Sequence, residues 1–229
     1  MRFNINNYQP QSVRDIVFGN ADSARAIGDI VTGRKAIPPM RGGKNGILLY
    51  GLWGTGKTTL AKLLPGAIEH AKNQEQPEDT HYEFVQCQMG EMTGPQLMRQ
   101  IDNTTNFMSS NSSGYHYFVL DEIDNLTDAA QASLKAVMNK PTTLFILTTN
   151  YFEKIERGII NRCVAVEMNA APAFAWLDFA KKVLADAGVT NVSDQQLLEV
   201  LSPCQGSVRN ILDELQTIVA DFQYLKTNN

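Results

Sequence analysis

Ile47-Leu48-Leu49-Tyr50-Gly51-Leu52-Trp53-Gly54-Thr55-Gly56-Lys57-Thr58 is the stretch on which the reading of the whole chain turns. Four apolar residues that close in glycine carry the signature of a short buried strand. The residues from Thr58 to His70 read as a helix leaving the turn. Between them, Gly51 to Thr58 fits G-x-x-x-x-G-K-[ST], a pattern that carries meaning in this strand-to-helix setting. The glycines let the backbone curl so that its N–H groups face phosphate oxygens at a helix N-terminus. Lys57 would bring a point charge to the β- and γ-phosphates, and the Thr58 hydroxyl would ligate Mg²⁺. The plain alternative is a glycine-rich turn with a chance lysine, which leaves the flanking strand and helix unexplained.

Outward from this turn, apolar runs alternate with helical patterns. Tyr82 to Cys87, Tyr117 to Leu120 and Thr143 to Thr148 read as strands. Asp22 to Val31, Pro95 to Phe107 and Thr127 to Met138 read as helices, with Pro95 in a first turn. Apolar strands separated by helices predict a parallel sheet covered on both faces. Beyond about residue 170, Ala173–Ala187, Asp194–Leu201 and Ser207–Tyr224 are helical patterns with no strand between them. Ala170-Ala171-Pro172 marks the boundary. The expected architecture is therefore an α/β P-loop domain over residues 1–169 and a small all-helical domain over 170–229.

Tyr117-Phe-Val-Leu-Asp-Glu122 ends an apolar strand in two acids. Carboxylates at the C-terminal ends of parallel strands lie where open α/β sheets bind ligands. Asp121 would hold magnesium, directly or through water, and Glu122 would orient and deprotonate an attacking water. Read without the glycine-rich turn, the same pair suits a solvated turn. Phe145-Ile-Leu-Thr-Thr-Asn150 is a further buried strand ending in polar groups. The Asn150 amide is placed either to bond a γ-phosphate or its water, or to serve as a turn residue.

Composition sets the outer bounds. Of 229 residues, 43% are hydrophobic and 19% charged, which excludes wholesale disorder and collagen-like or disulfide-dense architectures. Cys87, Cys163 and Cys204 are far apart with no C-x-x-C pair, against a zinc site or disulfide framework. No apolar run approaches the roughly 18 residues of a membrane helix, and Met1 to Gln11 lacks a signal-peptide core. A reducing cytoplasmic setting without a membrane is expected. The net charge of −4 divides unevenly: residues 1–62 carry nine Lys/Arg against three Asp/Glu, and residues 63–229 carry eleven against twenty-one. The basic N-terminal part suits phosphate contacts, although such a patch is more often an ordinary solvated surface.

Taken together, these residues resemble an AAA+ ATPase, and more narrowly the clamp-loader branch of that family, over nearly the whole chain. Tyr8-Gln-Pro10 with Asp15-Ile16-Val17 resembles the segment that packs against adenine. Gly51 to Thr58 resembles the Walker A motif and Asp121-Glu-Ile-Asp124 the Walker B motif. Asn150 falls at the sensor-1 position. Asn161-Arg162-Cys163 resembles the Ser-Arg-Cys element whose arginine reaches a neighbouring subunit's nucleotide, with asparagine in place of the serine. Gly206-Ser-Val-Arg209 resembles the sensor-2 start of a lid helix. Arg162 would otherwise be a surface arginine beside a buried cysteine, and Arg209 a solvated position on an amphipathic helix. Lys135 stands where the family has an arginine near the subunit interface, Arg157 is a second candidate arginine, and Gln86 is a candidate restraint on Glu122. Met89, Met92, Met98 and Met108 read as core filler or as a partner surface. The helical collar that clamp-loader subunits carry beyond the lid has no counterpart in these 229 residues.

The resemblance implies ATP and Mg²⁺ as ligands, with ATP in a cleft between core and lid. Tyr8, Ile16, Val17, Gly51, Trp53, Gly54, Thr55, Gly56, Lys57, Thr58, Thr59 and Arg209 would line the nucleotide, and Thr58 and Asp121 would hold the metal. Lys57, Glu122, Asn150 and Arg209 would act on the γ-phosphate, and Arg162 would complete a neighbour's site in a homo- or hetero-oligomeric ring or spiral. The implied work is clamp loading in replication or repair, on a sliding clamp and primer–template DNA. Two other classes fit the same motifs: a compact AAA+ remodeller or recruiter of protein partners, and an ATP-switched scaffold with little turnover.

Overall fold

The computed structural model describes residues 4–37, 43–74, 76–87, 94–140 and 142–227. They fall into two compact units: residues 21–51 with 57–168, and residues 1–20 with 52–56 and 169–229. Met89 and Met92 lie outside the described residues.

The first unit is built on strands β1 (Gly46–Tyr50), β2 (Tyr82–Gln86), β3 (His116–Asp121), β4 (Thr143–Thr149) and β5 (Cys163–Glu167). They form one sheet in the order β2-β3-β4-β1-β5, and every neighbouring pair is parallel. Central β3 and β4 are buried at every position, which explains their unbroken apolar character in the sequence. Alternate residues face opposite sides of the sheet. Leu48, Phe118, Leu120, Phe145 and Leu147 share a core with residues of α3 (Gly94–Thr105), α4 (Asp128–Val137) and α5 (Arg157–Asn161). Their alternates Ile47, Leu49, Val119 and Ile146 are equally buried. Helices α1 (Ala21–Val31) and α2 (Lys57–Asn73) pack against the sheet as well. The doubly covered parallel sheet expected from the sequence is the one observed.

The sequence reading omitted β5 and α5. β5 is a five-residue edge strand whose pattern Cys-Val-Ala-Val-Glu buries Cys163, Val164 and Val166 but exposes Ala165 and Glu167. So short a run, beside a conspicuous arginine, carries little signal until it pairs with β1 from Gly46↔Cys163 to Tyr50↔Glu167.

The second unit holds α6 (Leu177–Asp186), α7 (Asp194–Leu201) and α8 (Val208–Thr227). Ser193 caps α7, and Gln196 reaches back to the Ser193 N–H at 2.9 Å, a reciprocal capping box. Ile211, Leu215 and Val219 recur every fourth residue on α8 and are buried with Trp176, Ala180, Leu184, Leu197 and Leu201. Tyr8 and Val17 pack against the same cluster, and the Tyr8 ring meets Phe179 edge-on at 6.4 Å. Residues 4–20, expected with the sheet, therefore belong with the C-terminal helices because their apolar side chains are covered there.

Candidate functional site

The glycine-rich turn begins where β1 ends. Gly51 has φ +133°, and a Cβ there would stand 2.7 Å from the Met168 carbonyl oxygen, so only glycine fits. Lys57 opens the seventeen-residue α2 and is only 7% exposed. Its ammonium donates to the Gly51 carbonyl at 2.9 Å, folding the side chain over the turn. The first turn of a helix leaves backbone N–H groups without intrahelical partners, and the helix dipole adds positive potential at that end. Anionic oxygens are the ligands that such a terminus with a lysine accepts.

Parallel register brings the acids to the same end of the sheet. The Thr58 hydroxyl donates to Asp121 Oδ1 at 2.8 Å, linking α2 to the end of β3. Thr148, on the intervening β4, donates to the same oxygen at 2.6 Å and accepts from the Glu122 N–H at 2.9 Å. Glu122 has φ +58°, a left-handed conformation uncommon outside glycine and concentrated at functional sites. Asp124 accepts from the Thr149 hydroxyl at 2.7 Å and from the Asn150 N–H at 3.3 Å, which fixes the end of β4. Burial, then the neighbouring Asp121, Asp124 and Glu122 carboxylates, push the Cys87 thiol up to about 12.

These are oxygen donors of the kind hard divalent cations prefer. No cluster of three or more His, Cys, Asp or Glu among the described residues offers a site complete in itself. A divalent ion at Thr58 and Asp121 would draw further ligands from phosphate and water, as magnesium does. The residues fit that ion.

Within the second unit, the middle of the turn meets the start of α8. The Val208 N–H donates to the Gly54 carbonyl at 2.9 Å, and a Cβ at Gly54 would meet Ser207 Oγ at 2.5 Å. Arg209, next along α8, is exposed. Thr55 Oγ1 donates to the Leu52 carbonyl at 2.9 Å, and Trp53 is 59% exposed. Tyr8 donates to Asp186 Oδ2 at 3.1 Å, and Ile16 and Val17 are half-buried.

Arg162 stands apart. Its carbonyl accepts from the Gly46 N–H at 3.1 Å, so it lies at the N-terminal end of β1, opposite Lys57 and Asp121. Its Nε donates to Asn139 Oδ1 at 3.0 Å and its Nη1 to the Gly158 carbonyl at 2.9 Å. The nearby Lys135 pairs with Glu156 at 2.5 Å. Gln86 pairs in register with Asp121 on the edge strand, with its side chain exposed. In the basic N-terminal part, Arg25 and Arg34 are paired with Asp22 and Asp29. No helix among the described residues is long and apolar enough to cross a membrane.

Sequence reasoning brought Lys57, Thr58, Asp121, Glu122 and Asn150 to one place. It missed Thr148 and the role of Asp124. The signal was present in the polar Thr148-Thr149-Asn150 closing a buried strand, but which hydroxyl faces which acid depends on β4 lying between β1 and β3.

Comparison with known proteins agrees with this geometry. The model of the ATPase family associated with various cellular activities (AAA) matches residues 47–169, from β1 to just past β5. The chain is 25% identical over 215 residues to Replication factor C subunit 4 of Caenorhabditis elegans, covering 85% of this chain and 60% of that one. It is 28% identical over 177 residues to Replication factor C small subunit 2 of Pyrobaculum islandicum, covering 76% and 53%. The chain thus spans between about half and three fifths of the length of these relatives. In fold it is similar to a RuvB variant of Thermotoga maritima, with a TM-score of 0.72 at 14% identity over 96% of this chain and 67% of that one. With the strand, the phosphate-type turn and both acids all inside the matched span, the chain belongs to the AAA family of ATPases and is similar to Replication factor C subunits.

Proposed function

We propose that this chain binds and hydrolyses ATP as one subunit of an oligomeric motor of the clamp-loader type, working on DNA in replication or repair. The observation that carries the reading is the junction of Lys57, Thr58, Asp121 and Glu122 at one end of the parallel sheet. Walker-type turns hold the phosphates through backbone N–H groups and the lysine, and magnesium held by Thr58 and Asp121 would offset phosphate charge. Glu122 would orient and deprotonate the attacking water, and Asn150 and Arg209 would contact the γ-phosphate. Tyr8, Ile16 and Val17 would pack against adenine.

Arg162 would act in trans. β1 separates its end of the sheet from the acids by roughly 13 Å along the strand, at about 3.3 Å per residue, too far for a contribution to its own subunit's nucleotide. A guanidinium supplied by a neighbour would stabilise the charge that builds on the γ-phosphoryl oxygens. Clamp-type partners and primer–template DNA enter from the similarity to Replication factor C subunits.

The test is steady-state ATP hydrolysis across a range of protein concentrations, with and without primed DNA and a sliding clamp. The expected result is a rate per subunit that rises with concentration and again with primed DNA. A rate indifferent to DNA and clamp would favour a protein remodeller, and binding without turnover would favour a scaffold.

A further inference from the structure

The geometry points to Thr148 as a positioning residue that sets both acids of the site through a single hydroxyl. The inference rests on the reading of Asp121 and Glu122 as the metal-holding and water-orienting acids.

Thr148 is 1% exposed. Leu120 pairs with Leu147 across β3 and β4, so the next residues along, Asp121 and Thr148, lie side by side at the strand ends. A hydroxyl has one proton to give and two lone pairs to offer. Here the proton goes to Asp121 Oδ1 at 2.6 Å, and a lone pair accepts the Glu122 N–H at 2.9 Å. The two bonds constrain each other: donation to the carboxylate leaves only the oxygen's acceptor side for Glu122. A β-branched side chain, stiff about χ1, holds that oxygen in place inside a buried strand.

The Glu122 backbone needs such an anchor. At φ +58° it is in a region that costs a non-glycine residue energy and persists only where the surroundings hold it. Its N–H is held by Thr148, and its carbonyl accepts from the Asn125 N–H at 3.0 Å. The turn out of β3 is thereby fixed, and with it the point from which the Glu122 side chain departs. Asp121 Oδ1 is meanwhile held between the hydroxyls of Thr148 and Thr58. Both bonds of the Thr148 hydroxyl are spent on the two acids, so it acts through them.

Thr148→Val keeps the shape and the strand preference and removes both bonds. Because small displacements of a reacting group cost up to about a hundredfold in rate, kcat should fall by about 10- to 100-fold. ATP affinity measured without metal should be unchanged, as the turn and Lys57 are untouched. The Glu122 amide, followed by hydrogen exchange, should lose protection in the metal-free, nucleotide-free protein. Thr148→Ser keeps the hydroxyl and should keep both kcat and amide protection. If Thr148→Val does not fold, Thr148→Ala against Thr148→Ser reads the same contrast, and equal kcat in those two overturns the proposal. In a Glu122→Gln background, Thr148→Val should add little further loss, because both changes act on one step. A Thr148→Val protein with parental kcat, alongside an inactive Glu122→Gln protein, overturns the role of Thr148 alone. A Glu122→Gln protein with parental kcat overturns the underlying reading of the acids instead.

Discussion

Thr58 Oγ1 and Asp121 Oδ1 stand 2.8 Å apart, although they come from α2 and β3 and the strands leading to them are not neighbours in the sheet. β4 lies between β1 and β3, so the contact exists only because the strands end level and α2 starts directly after the turn. The hydroxyl donates to the carboxylate; a divalent ion held here would draw on the oxygens of both. Thr58→Ala should therefore leave metal-free ATP binding intact and abolish most of the gain from magnesium. Removing one charge-assisted partner is worth about 1.5–3 kcal/mol, so the gain should shrink by about 10- to 100-fold. Titration of a fluorescent ATP analogue with magnesium and with chelator measures it. A normal magnesium response would remove Thr58 from the metal site.

Trp53 offers a direct signal of occupancy. It is 59% exposed on the glycine-rich turn, whereas Trp176, the second tryptophan of the chain, is 5% exposed in the helical cluster. Nucleotide bound at the turn should alter the emission of Trp53 and leave that of Trp176 unchanged. Saturating ATP should shift the fluorescence of the parent protein, and Trp53→Phe should erase the shift. A shift retained in Trp53→Phe would place the nucleotide's effect elsewhere.

Glu69 is a structural carboxylate of the first unit. It is fully buried on α2 and accepts from the hydroxyls of Tyr117 and Ser113 and from the Ser113 N–H, tying the loop before β3 to the helix. Glu69→Ala removes this acceptor from the buried Tyr117 hydroxyl and the half-buried Ser113 donors, and a buried donor left unmade costs about 1–3 kcal/mol. The expected net loss is about 2–4 kcal/mol, which for a chain of this size lowers Tm by about 5–15 °C. Thermal unfolding followed by circular dichroism measures it, and Glu69→Gln, which keeps an acceptor oxygen, should lose less.

The parts legible in the sequence were those with a local physical cause. β1, β3 and β4 carry continuous apolar runs because both faces of the central sheet are covered. Gly51 and Lys57 are dictated by the turn itself. Glu69 was illegible, because a buried glutamate on an amphipathic helix looks like any solvated one until Tyr117 is placed beside it. Thr148 was hidden for the same reason, since its partners depend on sheet order. The grouping of residues 4–20 with α6 to α8 needed Tyr8 and Val17 to find their apolar cover, a non-local fact that periodicity does not carry.

The two thiols of the first unit give a pH dependence. Burial, then nearby carboxylates, raises Cys87 from 9.0 to about 12; burial raises Cys163 to about 12 against the opposing pull of Lys44 and Arg162. A raised value favours the protonated thiol in the folded state. The stability it represents is fully present below the unfolded value of 9.0 and is lost as pH rises from there through about 12. Each thiol then contributes a slope of about 1.4 kcal/mol per pH unit. Urea unfolding at successive pH values above 9 should show this decline, and Cys87→Ala should flatten its share.

Arg162 and Glu122 should complement each other between subunits. The guanidinium is held by Asn139 and Gly158 at the end of the sheet opposite the acids, so a subunit lacking it keeps an intact nucleotide site. Arg162→Ala should bind ATP like the parent and hydrolyse it about 10³-fold more slowly or worse. Glu122→Gln should also bind ATP and lose about 10²- to 10⁴-fold in rate. Mixed, the two inactive proteins would create interfaces in which the arginine of a Glu122→Gln subunit would face the intact acids of an Arg162→Ala subunit. Activity should reappear in the mixture, with a maximum near equal proportions and a dependence on total protein concentration. The double variant mixed with parent should instead dilute activity without any recovery. If the two single variants stay inactive together while each still assembles, Arg162 does not act across the interface, and its contacts to Asn139 and Gly158 are structural.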